Sequence, residues 1–120
     1  MRNNQDSVDD RVETLVAGSG NVFEDLGIPH AEEALAKARL AEGIADTIAR
    51  RGLLQAEAGR MFGIDQPRVS RIVNGRLDGF SQDRLMRYLR ILGDDVEITI
   101  RRPRRYGNRG DLTVRVEGSE

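Results

Sequence analysis

Apolar side chains recur at threes and fours along most of the chain, then at twos beyond Gly93. The first rhythm predicts helices. Leu35, Ala38, Ile44, Ala45 and Ile48 share one side of a helix expected over about residues 31–51, with Glu32 and Glu33 at its positive N-terminal end and Gly52 closing it. Ahead of it, Val22, Phe23, Leu26 and Ile28 read as a packed lead-in stopped by Gly27 and Pro29. A short helix is expected over about 55–62, stopping at Gly63, and a third over about 66–74, ended by Asn74-Gly75. In "SQDRLMRYLRILG" Ser81 is a good N-cap, and Leu85, Leu89 and Leu92 line one side of a fourth. The second rhythm predicts strands. Val96, Ile98 and Ile100 alternate with Glu97, Thr99 and Arg101, and Leu112, Val114 and Val116 alternate with Thr113 and Arg115. The basic, glycine-rich "PRRYGNRG" would join them. Residues 1–20 hold no sustained period and read as a mobile polar tail. The expected organisation is therefore a tail over 1–20, a helical domain over 21–93 and a strand pair over 94–117.

The third helix raises a question of its own, because "GIDQPRVSRIVNGR" places a proline inside a helical pattern. Asp65 resolves it. As N-cap, its carboxylate accepts from first-turn backbone N–H groups, so Gln66 and Pro67 become the first helical residues, where a missing N–H removes no intrahelical bond. At about 100° per residue, Val69, Ile72 and Val73 fall on one side. Pro67, Ser70, Arg71 and Asn74 fall opposite, with Arg68 on the flank and Gln66 at the exposed end. Gln, Ser, Arg and Asn are side chains that read base edges. Two short helices joined by about three residues have the spacing of a helix-turn-helix. Gly59 is costly inside a helix unless the two helices approach closely there. Gly63 supplies the positive φ of a tight turn, and Ile64 is placed to plug the joint beneath Val69.

Charge changes the picture by its distribution. The net charge is −1, which by itself argues against a polyanionic partner. Yet residues 1–46 balance at −6, residues 50–78 at +3 and residues 84–109 at +5. Lys37 is the only lysine among 19 basic residues, and arginine makes the bidentate contacts to phosphates and guanine edges that lysine cannot. Arg84, Arg87 and Arg90 read as a solvated helix face, and Arg101–Arg105 with Arg109 as either an electrostatic arm or an exposed loop. With no cysteine, disulfides and thiolate metal sites are excluded. The start has no apolar signal core, and no stretch nears the roughly 18 apolar residues of a membrane span. A cytoplasmic protein without metal or cofactor is expected. Ser70 has no histidine partner at helical spacing, His30 reads as a loop or cap residue, and Asp94-Asp95 reads as a turn, so no enzyme is expected.

"QAEAGRMFGIDQPRVSRIVNG" resembles the helix-turn-helix of the Xre/phage-repressor superfamily, and the likeness extends over about residues 32–93. It rests on Gln55 at the start of the second helix, a small residue at Gly59, Gly63 in the turn, apolar Val69 and Ile72, and Asn74-Gly75. Leu54, where a Thr or Ser cap is usual, and Gly59, where alanine is commoner, depart from the pattern. The fold implied is mainly α: a four- to five-helix lambda-repressor-like domain, here with a short C-terminal β-hairpin. "VFEDLG" and the strand-forming tail further resemble the HigA-like branch, antitoxins that repress their own operon and bind a small ribonuclease toxin. By this resemblance Gln66, Pro67 and Arg71 face the major groove, and Gln55 and Asn74 hold phosphates. On chemistry and charge, Ser70 joins the base contacts and Arg68 and Arg76 the phosphate contacts.

Two function classes follow: a sequence-specific repressor, or a protein-binding module that neutralises a partner toxin with little or no DNA-binding role. A lone hairpin is marginal in water and exposes its edges. Val96, Ile98, Ile100, Leu112, Val114 and Val116 are therefore expected to form a homodimer interface, or else to fold back over the chain's own helices. A dimer would set two recognition helices on the half-sites of a palindromic operator, about 34 Å apart.

Overall fold

Pro29 begins a helix as Pro67 does. The structure, a computed structural model, describes residues 28–118, and the long first helix α1 runs Ile28–Arg51 with Pro29 in its first turn. The first turn bonds no N–H within the helix, so proline is tolerated there. The helix therefore begins three residues before the expected start at residue 31, and Pro29 does not stop it. The remainder of the lead-in, Val22, Phe23 and Leu26, lies outside the described residues, as does the tail over 1–20.

Three further helices follow: α2, Gln55–Phe62; α3, Gln66–Val73; and α4, Gln82–Ile91. α1 packs on α4 and α3, and α2 packs on α3. The stripe α1 buries is Ala36, Leu40, Ile44 and Ile48 with Ala41, one residue in each turn. Leu35, expected in the core, is 48% exposed, and Ala38 and Ala45 are only half-buried. Lys37 disguised the true stripe. It reads as polar in sequence but lies 7% exposed beside Ala36 and Ala41.

An aromatic cluster completes the core. Phe62 stacks on Tyr88 with ring centroids 4.4 Å apart, and Phe80 meets Tyr88 edge-on at 6.5 Å. Offset and edge arrangements of this kind add about 0.5–1.5 kcal/mol beyond area burial. Arg51 Nη1 donates to the carbonyl of Leu92 at 2.9 Å and Thr47 Oγ1 to Asp94 Oδ2 at 2.5 Å, so the end of α4 is tied to the end of α1. Asp94 thus acts as a structural acceptor. No helix among the described residues is long and apolar enough to cross a membrane.

The expected C-terminal hairpin is not formed. Residues 94–118 include no strand, and no backbone hydrogen bond joins their two apolar segments. Side-chain patterning fixes which face of an extended segment is apolar, but a ladder needs a neighbouring backbone in register. The segments lie against helices instead. Val96 and Val114 pack on the helical core, the N–H of Leu112 donates to Glu32 Oε2 at 3.3 Å, and Val116 covers Gly43. Ile98, Ile100, Leu112 and Val116 stay exposed.

Candidate nucleic-acid interface

Gly59 is where α2 and α3 meet. A Cβ built there would stand 2.6 Å from the carbonyl oxygen of Ile64 and 3.4 Å from Val69 Cγ2. The carbonyl of Gly59 accepts from the N–H groups of both Gly63 and Ile64, at 2.8 and 2.9 Å, while Gly63 turns the chain at φ 80°. Ile64 is partly buried against the core beside this joint. Leu54 gives α2 no side-chain cap, and Glu57 Oε1 takes the N–H of Leu54 at 2.7 Å instead. Asp65 caps α3 through Oδ1, which accepts from Arg68 N at 3.1 Å. Pro67 then sits in the first turn.

Val69 and Ile72 are buried, and Val73 packs against the core, so the back of α3 is the face the wheel assigns. On the front, Gln66, Pro67 and Asn74 are exposed and Arg68, Ser70 and Arg71 half-exposed. Gln66 Nε2 donates to Gln55 Oε1 at 2.6 Å, joining the N-terminal ends of α2 and α3. Gln66 keeps one N–H and its carbonyl oxygen outside that bond. Asn74 folds back along the helix, donating to the carbonyl of Ser70 at 2.9 Å and to Ser70 Oγ at 3.2 Å. Arg76 is exposed, and its guanidinium has no partner among the described residues.

Arg71 is the departure. The wheel leaves it free on the front face, yet its Nη2 lies 2.8 Å from Asp78 Oδ1 and donates to the carbonyl of Asp78 at 2.6 Å. The loop after α3 brings Asp78 back against the helix, and a wheel drawn for one helix contains no loop. Phe80, the end of that loop, is surrounded by cations. The guanidinium carbons of Arg84, Arg71 and Arg68 lie 5.3, 5.5 and 5.7 Å from its ring centroid. Arg84 also donates to the carbonyl of Gly79 at 3.2 Å and to the Tyr88 hydroxyl at 2.8 Å, so it is no member of a merely solvated face. Arg87 and Arg90 are exposed as expected. Only Asp78 answers these three arginines with an ion pair among the described residues. The arrangement leaves a positive surface beside the polar front of α3. Phe80 is the residue the sequence did not reveal as part of the site; the arginines spaced around an aromatic were its only trace.

The model of a family described as "Helix-turn-helix domain" matches residues 22–101. A solved structure described as an XRE family transcriptional regulator is 42% identical, with a TM-score of 0.66, over 72% of this chain and 98% of its own. Among curated proteins none matches.

Proposed function

The chain belongs to the helix-turn-helix domain family, a family of DNA-binding transcription regulators rather than enzymes, and from that premise we propose that it is a sequence-specific repressor reading base edges with α3. The observation that carries this reading is the Gln55–Gln66 clasp. With one Nε2 proton given to Gln55, the Gln66 amide presents one donor and one acceptor in a fixed plane. That pair matches the N7 acceptor and N6 donor of adenine in the major groove. Pro67 and Ser70 complete the base contacts, with Arg71 offering its remaining N–H groups from the position Asp78 holds. Gln55, Arg68, Asn74 and Arg76 take phosphates, which fix register and carry no sequence information. Two copies would read a palindromic operator.

The finer proposal is that the repressor is the antitoxin of a pair and represses its own operon. It is supported by the HigA-like resemblance and by the −6 balance of residues 1–46, a charge suited to a basic ribonuclease from an adjacent gene. Mobility shift of DNA from upstream of its own gene, with and without the neighbouring gene's product, tests both readings. A shift of that DNA but not of unrelated DNA is expected, altered further by the neighbour. Equal affinity for both DNAs contradicts the repressor, and a neighbour that neither co-purifies nor changes the shift contradicts the antitoxin.

A further inference from the structure

Ile98 and Ile100 are 75% and 79% exposed on a backbone that pairs with nothing among the described residues. Leu112 and Val116 are 43% and 47% exposed on a second segment, whose backbone bonds to no other backbone among the described residues. A segment of alternating apolar residues whose backbone has no ladder partner is a template for another strand. The two segments themselves indicate which strand it is.

In an antiparallel pairing that sets Thr99 opposite Thr113, Glu97 faces Arg115 and Arg101 faces Asp111 on one surface. On the other surface Val96 faces Val116, Ile98 faces Val114 and Ile100 faces Leu112. Every cross-strand pair is favourable in kind: charge with opposite charge, threonine with threonine, aliphatic with aliphatic. Slipping two residues one way opposes Glu97 to Glu117, and slipping two the other way opposes Arg101 to Arg109. A slip of one residue sets aliphatic side chains against polar ones. One register is specified and its neighbours are penalised.

Within the chain that register is not used. The N–H of Leu112 is committed to Glu32 on α1, Val116 lies over Gly43, and the first segment leaves α1 at the Thr47–Asp94 bond. We infer that residues 96–101 of one copy pair antiparallel with residues 111–116 of a second copy, Glu97 facing Arg115 across the interface. Each copy offers both halves, so a two-fold dimer forms the pairing twice and sets the apolar rows side by side. Such an interface is isologous, as closed dimers require. This rests on the reading that two copies act on one palindromic site, but it is measured without DNA and so fails or stands separately from DNA recognition.

Charge reversal tests it on the full chain. Glu97→Arg places arginine against Arg115, and Arg115→Glu places glutamate against Glu97. Each variant alone is expected to self-associate about tenfold or more weakly than the native chain by sedimentation. An equimolar mixture of the two restores native-like dimers, because every contact between unlike copies is again Arg with Glu. The double variant, Glu97→Arg with Arg115→Glu, dimerises like the native chain. Unchanged helical circular dichroism in each variant separates loss of pairing from loss of fold. Three results overturn the inference: a monomeric native chain at micromolar concentration, single variants that dimerise as the native chain does, or a mixture no stronger than its components. The last is the signature of pairing within one chain.

Discussion

Arg71 anchors a loop and is proposed to face a base as well, and the two roles can be separated by measurement. Its Nη2 bridges a carboxylate and a backbone carbonyl of Asp78, holding the loop that ends in Phe80. Both partners are about one-third exposed, so solvent screening limits the ion pair, and most of the stabilisation comes from the hydrogen bonds. Arg71→Ala should therefore lower unfolding free energy by about 1 kcal/mol in urea titration. It should also relax discrimination at one operator base pair by about 1–3 kcal/mol. A stability loss with unchanged discrimination would leave Arg71 as an anchor alone. At Gly59 the expectation rests on distance. Alanine gains about 1 kcal/mol in helix propensity. Its Cβ would nevertheless meet the Ile64 carbonyl at 2.6 Å, a backbone atom that cannot swing aside. Overpacking costs about 1–3 kcal/mol, so Gly59→Ala should be net destabilising and lower the melting temperature. A raised melting temperature would show that the α2–α3 joint relaxes freely.

Among the elements, the helix-turn-helix was legible because its signals are local and independent of one another. Asp65, Pro67, Gly63 and Ser81 each act within a turn or so of themselves, and all stand where sequence logic puts them. Asp65→Ala should cost about 1 kcal/mol and speed amide exchange in the first turn of α3, checked by hydrogen exchange. Unaltered exchange there would show that Asp65 does not hold the first turn of α3. α1 was less legible. Its buried stripe passes beside Lys37, whose charge hides a buried position, while Leu35 looks like core and is exposed. The C-terminal segments failed differently. Their alternation marked two apolar rows, of which only Val96 and Val114 pack on the helical core, and it could not say whether a neighbouring backbone lies in register, which depends on chain geometry far from either segment. The three arginines around Phe80 come from α3 and α4, so their convergence is a tertiary fact.

Over the whole molecule, the near-neutral total conceals an acidic first part and a basic remainder. Attraction to DNA then depends on which face is presented, and salt should weaken binding steeply. Arg76→Ala should weaken binding to all sequences alike and reduce the salt slope by about 1, measured by titrating affinity against salt. An unchanged slope would place Arg76 away from the phosphates. The proposed base readout rests on the Gln66 amide, fixed by Gln55. It is tested most directly by measuring the affinity of the native chain and of Gln66→Ala for the operator and its single base-pair substitutions. The native chain should lose about 1–3 kcal/mol at one A·T position in each half-site, and Gln66→Ala should bind all variants at that position equally. If a folded Gln66→Ala protein keeps the native pattern of discrimination at every position, α3 does not read DNA through Gln66.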